Sequence, residues 1–344
     1  MGLVYDGTTP LIPSLHQPAL VLDHAVELGV DASQLLAGLP FGPAQFEAEP
    51  RALSAAQWLR LLDRADRAIG AADTAFTLGR RLLPGHYGAA SQALQQSANL
   101  REALEALVSH PARLSPLLVP RLVVEDELAL LVFTDAVGLG AQRASVVDMT
   151  MTAIAAMAQW LGGARVPWTF CFNRVAPRSP EQHEAYLGAR LRFGCLVDAM
   201  LVPRGEIERP WPAAAAPGAA AARHAALRAA AHEAGAARGL LGVLHDRLLA
   251  TLAQGPTLDD CAAALGTSAA TLKRRLAAEG THFQAELDLV RSHVALWHFG
   301  FHGADNAAVA RALGFADVTN FRRSFKRWTG QTPHGLKLAL RAAG

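Results

Sequence analysis

Between residues 321 and 328 the chain reads FRRSFKRW, with Arg322 and Arg323 set between Phe321 and Phe325, and Lys326, Arg327 and Trp328 following. A guanidinium donates in a rigid fork that fits phosphate and the O6/N7 edge of guanine, and an asparagine amide fits adenine. Asn320 directly precedes the run, after Val318 and Thr319. A shorter version lies upstream, where Lys273 and Arg274 follow Leu272 and Arg275 precedes Leu276. From Thr257 onward the chain carries a net charge of +4, whereas the rest carries −2. The basic excess therefore sits where these residues sit, which points to a polyanion, and to base edges as well as phosphates.

Such side chains need a frame, and the sequence repeats one. Comparing AAALGTSAATLKRRLAAEGT (262–281) with ARALGFADVTNFRRSFKRWTGQ (310–331) matches Leu265-Gly266 to Leu313-Gly314 at an offset of 48. Leu272 and Leu276 match Phe321 and Phe325 at 49, and Gly280 matches Gly330 at 50. This is one unit present twice. In the first copy Thr257-x-x-Asp260 opens a helix, Gly266 ends it and Ser268 caps the next. In the second, Asp305 or Asn306 is the cap, Gly314 the stop and Asp317 the next cap. Two helices across a short glycine turn form a helix-turn-helix. Within each second helix the large apolar residues lie four apart on one inward face, so the cations are displaced toward solvent. A merely solvated basic face is the plainer reading; duplication at matched positions argues against it. Between the copies, Phe283, Leu287, Val290, Val294 and Trp297 step by 4, 3, 4 and 3, which predicts an amphipathic connecting helix.

Upstream the pattern is mixed. Ser54-x-x-Gln57 caps a helix, residues 121–133 predict a hairpin, residues 144–161 a long helix apolar on most sides, and 166–173 a half-buried strand. Further strands are expected at 191–193 and 196–202. Helices and strands without strict alternation predict an α+β domain over 1–205. Residues 206–237 contain several prolines and an alanine-rich run, and read as a linker; the alternative is a surface helix of the first domain. An all-α domain of 238–344, two helix-turn-helix units joined by the connecting helix, follows.

Other chemistries find little support. Cys171, Cys195 and Cys261 form no CxxC pair, which speaks against a disulfide framework or a four-cysteine zinc site and fits a reducing cytoplasm. His298 and His302 are four apart but flank Gly300 and lack a companion ligand, so no metal is expected. No nucleotide fingerprint or hydrolase motif occurs, and no cofactor is called for. No apolar run is long enough to span a membrane. An enzyme domain fused to a DNA reader, and a ligand-independent DNA-binding protein, remain as alternatives.

The stretch from Leu313 to Pro333, with GF, FRRSFKRWTG and TP, closely resembles the signature of the AraC/XylS transcription regulators, and the likeness covers both repeats. RRLLPGHYGAAS (80–91) and RFGCLVDAMLVPR (192–204) resemble, less strongly, the effector-sensing N-terminal domain of one AraC subgroup. The resemblance implies a cytoplasmic bacterial regulator of transcription, often a homodimer and often an activator working with RNA polymerase at a double-stranded DNA operator. Carried onto this chain, base-contacting positions fall on Lys273 and Arg274 in the first copy, with Ala270 able to offer at most a methyl contact. In the second they fall on Val318, Thr319, Asn320, Arg322 and Arg323. Ser268, Lys326 and Arg327 suit phosphates. The first domain is then expected to bind a small organic effector. Helix 144–161 and strand 166–173, with Met151, Met157, Trp160 and Trp168, are the expected pocket walls, although no residue can be assigned to the ligand from sequence.

Overall fold

A computed structural model describes residues 3–39, 42, 43, 46, 51–233 and 237–336, and these form two compact units divided at Leu240. The first opens with β1 (Val4–Tyr5), β2 (Pro10–Pro13), α1 (Gln17–Glu27), α2 (Ala32–Leu36) and β3 (Ala52–Ser54). Next come α3 (Ala55–Ile69), α4 (Thr74–Leu82), α5 (Ala89–Gln95), α6 (Leu100–Ser109) and α7 (Pro111–Leu114). The expected Ser54 capping box is present: Gln57 N donates to Ser54 Oγ at 3.3 Å and Ser54 N donates to Gln57 Oε1 at 2.8 Å. The hairpin is β4 (Leu118–Val124) and β5 (Leu128–Asp135), followed by α8 (Arg143–Gly162).

After α8 run β6 (Thr169–Phe172), α9 (Glu181–Leu187), β7 (Leu191–Phe193), β8 (Asp198–Pro203) and α10 (Arg204–Ile207). The main sheet has the order β4-β5-β8-β6-β7, antiparallel except for the β6–β7 pair. Strand β6 is shorter than the alternating run 166–173 suggested. Phe170, Cys171 and Phe172 are all buried and only Thr169 is half-buried, so the alternation does not mark a strand with one exposed face.

Helix α8 is the pillar of this unit. Met151, Ile154 and Met157 are fully buried, and its wide apolar surface is matched by close packing on α4. Gly79 of α4 makes that crossing possible: a Cβ there would stand 2.5 Å from the Met149 carbonyl oxygen and 2.8 Å from the Thr152 Cβ. Arg143, at the start of α8, pairs with Asp135 of β5 at 2.9 Å and with Asp198 of β8, tying the helix to two adjacent strands.

The segment read from sequence as linker contains α11 (Ala219–Glu233), which packs on α5 with Ala226 and Ala230 buried. Small alanine side chains let two helix backbones approach closely, so a composition too poor to build a core still suffices to cover one. Arg238–Gly239 is β9, a two-residue strand parallel to β1. It was not expected after the alanine-rich run.

From Leu241 the described residues are helical: α12 (Leu240–Thr251, beginning at the division), α13 (Leu258–Ala264), α14 (Ala269–Ala278), α15 (Phe283–Gly300), α16 (Asn306–Ala312) and α17 (Val318–Thr329). Each end that the sequence marked is built as a cap. Thr257 and Asp260 form a capping box, Ser268 caps α14, Asp305 caps α16 and Asp317 caps α17. Gly266 and Gly314 adopt the left-handed conformation, φ 66° and 74°, that turns the chain between helices. The buried line of the connector α15 runs through Leu287, Val290, Ala295 and Phe299; Phe283, Val294 and Trp297 are half-buried. The expected stripe holds over the first half and rotates in the second, where Trp297 instead meets Phe301 in a tilted ring contact at 4.5 Å.

Candidate functional site

Helices α14 and α17 carry the sequence-derived DNA residues. At 100° per residue, Leu272 and Leu276 define the inner face of α14, and Ala270, Lys273, Arg274 and Ala277 the opposite one. All four outer residues are exposed, and both leucines are fully buried. On α17, Phe321 and Phe325 are fully buried, while Thr319, Arg322, Arg323 and Lys326 form the exposed outer face. The two faces correspond position by position at the offset of 49. Among the described residues, Lys273, Arg274, Arg322, Arg323 and Lys326 make no ion pair, so their charge is uncompensated inside the unit.

The remaining residues sit differently. Val318 is half-buried on the flank nearer Phe321 and Phe325, so it presents little surface outward. Asn320 lies on the other flank with Arg327. Its side-chain amide donates to Asp317 Oδ2, and its backbone N–H donates to Asp317 Oδ1 at 2.8 Å. Arg327 reaches Asp288 of the connector at 3.6 Å. Ser268 is exposed as the cap of α14, accepting from Thr271 N at 3.2 Å.

Two residues that sequence reasoning missed hold α17 in place. Arg291 of the connector lies 5.6 Å from the Phe315 ring centre and 5.7 Å from that of Trp328. Asp288 pairs with Arg291 at 3.6 Å as well as with Arg327. Their spacing of three on an amphipathic helix was visible in sequence, but their partners come from other helices.

The first unit contains a cavity of about 1170 Å³. Its walls come from α1, α8, the turn after α4, the segment 163–170 and the end of α9. Trp160 and Trp168 line it, as expected; Met151 and Met157 do not, being fully buried in the core. The periodicity of α8 could not separate the methionines from the lining residues Thr152, Ala155 and Ala156, because the helix is apolar around most of its circumference. The floor includes buried Leu83, Tyr87, Trp168 and Phe170, and the mouth exposed Arg80, Arg81, His86 and Arg165. Tyr186, also lining, donates to Asp73 at 2.7 Å. In the same unit, Cys171 of β6 and Cys195, just beyond the end of β7, are neighbours, and Cys195 N donates to the Phe172 carbonyl at 3.0 Å. A hydrogen bond from Cys171 favours the Cys195 thiolate, while that bond and burial push the Cys171 thiol up. Both are free thiols, as is Cys261. Among the described residues no cluster of three metal-binding side chains occurs, and no helix is long and apolar enough to cross a membrane.

Comparison with known proteins matches both units. The family model described as the arabinose-binding domain of the AraC transcription regulator, N-terminal, matches residues 29–211, and that of a helix-turn-helix domain matches 261–338. The chain is similar to the ornithine utilization regulator of Pseudomonas aeruginosa, 28% identical over 337 residues that cover 96% of this chain and 98% of that one. It is also similar to an uncharacterised helix-turn-helix-type transcriptional regulator of Mycobacterium tuberculosis, 38% identical over 96 residues, 28% of each chain. Among solved structures, the transcriptional regulator CdpR of Pseudomonas aeruginosa aligns over 94% of this chain and 98% of its own, at 19% identity and a TM-score of 0.43.

Proposed function

The chain belongs to the AraC family of transcription regulators, and we propose that it is an effector-responsive activator whose two recognition helices read adjacent major grooves of one operator. That it is a transcription regulator with a DNA-binding helix-turn-helix domain follows from the family. One observation carries the finer reading: the outer faces of α14 and α17 present unpaired cations at equivalent positions of a duplicated unit. The 18-residue connector α15 is about 27 Å long at 1.5 Å per residue. Successive major-groove faces recur every ~34 Å. A helix of that length, with a recognition helix beyond each end, suits two consecutive grooves.

In this reading Lys273, Arg274, Thr319, Arg322 and Arg323 address base edges, and Ser268, Lys326 and Arg327 address phosphates. Asn320 reads adenine only after exchanging its Asp317 partner. Val318 contributes at most an apolar edge to a thymine methyl. The domains are proposed as 1–205 for effector sensing and dimerisation and 238–344 for DNA, with 206–237 joining them while its helix α11 packs on the first unit. The protein acts in the cytoplasm as a homodimer, with RNA polymerase as the partner that its promoter position engages, and without catalysis.

The test is a set of operators substituted one base pair at a time, bound by the full chain and by its Lys273→Ala and Arg322→Ala variants. Each variant should lose preference at one position, the two positions lying ~10 base pairs apart. Loss at one shared position, or equal loss on random DNA, removes the two-groove reading.

A further inference from the structure

We propose that the cavity of the first unit is built for an organic anion with an apolar body, a carboxylic acid rather than an amine or a neutral molecule. The inference rests on the reading of this unit as an effector sensor and names the chemistry of its ligand.

The charge around the mouth is one-sided. Three guanidinium groups line the cavity, from Arg80, Arg81 and Arg165, against one carboxylate, from Asp23. Arg81 is engaged by Glu27 at 2.7 Å. Arg80 and Arg165 have no carboxylate partner among the described residues; Arg165 donates only to the Tyr186 carbonyl, at 3.3 Å. Two uncompensated cations thus stand at the entrance to a recess whose floor is apolar and aromatic. A carboxylate entering such a mouth meets forked guanidinium donors, and charge-assisted hydrogen bonds of this kind are stronger than neutral ones. An ammonium at the same place meets like charge.

The walls supply the rest. Trp160 is 67% exposed on α8 at the cavity, a large indole surface with no covering partner. Trp168 is 5% exposed, and its indole N–H finds no acceptor among the described residues. A buried donor without an acceptor is costly, and a ligand oxygen brought against that wall offsets the cost. An aromatic or alkyl body packs between the two indoles as its acid group faces the arginines. A volume of about 1170 Å³ lies just above the ~300–1,000 Å³ usual for ligand sites, so an acid of drug-like size fits without rearrangement.

The experiment uses the full chain and three phenylalkyl probes of similar length, 4-phenylbutanoate, 4-phenylbutanamide and 4-phenylbutylamine, in calorimetric titration at neutral pH. The acid should bind at least about tenfold more tightly than either other probe. Arg80→Gln and Arg165→Gln should each weaken the acid several-fold without lowering the thermal midpoint of the unliganded chain, since both side chains are exposed. Arg165→Glu should shift preference toward the amine. Equal binding of all three probes, tighter binding of the amine, unchanged acid affinity in the Arg80→Gln/Arg165→Gln double variant, or no acid binding at ~5 mM would overturn the proposal. Failure of the sensor reading looks different: the acid binds with the expected arginine dependence, yet operator affinity does not change. Conversely, an amine that shifts operator affinity keeps the sensor and removes the anion.

Discussion

The two helix-turn-helix copies solve one geometric problem with different side chains. In the first, Leu272 and Leu276 fill the space under a ten-residue recognition helix whose outer face holds Ala270, Lys273, Arg274 and Ala277. In the second, Phe321 and Phe325 lie under a twelve-residue helix whose outer face holds Thr319, Arg322, Arg323 and Lys326. The aromatic copy is also fastened to the connector. Phe299 meets Phe325 edge-on at 5.9 Å, Phe315 meets Phe321 at 5.8 Å, and Arg291 lies against Phe315 and Trp328. Aliphatic packing is non-directional, whereas aromatic pairs favour particular geometries, so the second helix is held more specifically in orientation. It also carries the heavier polar load. On these outer faces the second copy exposes four polar side chains, Thr319, Arg322, Arg323 and Lys326, and the first two, Lys273 and Arg274.

The largest effect should come from breaking the aromatic lock. Phe325→Ala should cost ~3–5 kcal/mol and more than Leu276→Ala, for which ~2–5 kcal/mol is the usual range, in chemical denaturation of the full chain. If the leucine variant loses as much as the phenylalanine variant, aromatic geometry adds nothing beyond buried area and the copies are equivalent.

Next is DNA discrimination. Arg323→Ala and its counterpart Arg274→Ala should each lose ~1–3 kcal/mol on the operator and relax preference at one base pair. Lys326→Ala should weaken specific and random DNA alike and lower the salt slope by ~0.9. Its counterpart is Ala277, so the first copy carries no cation at that position of its outer face. Uniform losses for all three variants on both kinds of DNA would show that no arginine reads a base.

A smaller effect concerns the caps. Asp317→Ala and Thr257→Ala should each cost ~1 kcal/mol of stability through a lost N-cap. Only Asp317→Ala should also change base preference, because it releases the Asn320 amide. Unchanged preference would remove Asn320 from the reading set.

Smallest is a pH effect with no counterpart in the first copy. Burial, and then the nearby His302, hold His298 below its ordinary value. The unfolded chain therefore takes up this proton first. Stability is complete above the unfolded value of ~6.5 and declines slightly as pH falls through it. His298→Gln should flatten that part of the profile of midpoint against pH.

Most of the second unit was readable from its residues because the interactions that define it are local. Caps lie three residues from the N–H groups they satisfy, a glycine stop acts where it stands, and inner and outer faces follow from a spacing of four. Asp305 rather than Asn306 proved to be the cap of α16, a choice between neighbours that composition leaves open. The rotation of the connector's buried line was not legible, since Ala295 and Phe299 are buried by what packs on them.

The first unit divides the other way. Its hairpin, its pillar helix and the cap at Ser54 were determined by patterning alone. The cavity was not: Arg80 and Arg165 are 85 residues apart, and His86, Tyr87 and Trp168 join them only once the unit has folded. Likewise Met151 and Trp160 look equivalent on a helix apolar on most sides, yet Met151 is fully buried in the core while Trp160 is exposed at the cavity. The alanine-rich segment read as linker became a packed helix because a partner surface existed on α5. Sequence by itself determined the caps and helices of the duplicated DNA-binding unit, the sign of its charge, and the hairpin and pillar helix of the first unit, all of which depend on neighbours within one or two helical turns. Tertiary structure alone decided which residues share a cavity and which face of a uniformly apolar helix meets it, because those depend on distances across the fold that no local periodicity encodes.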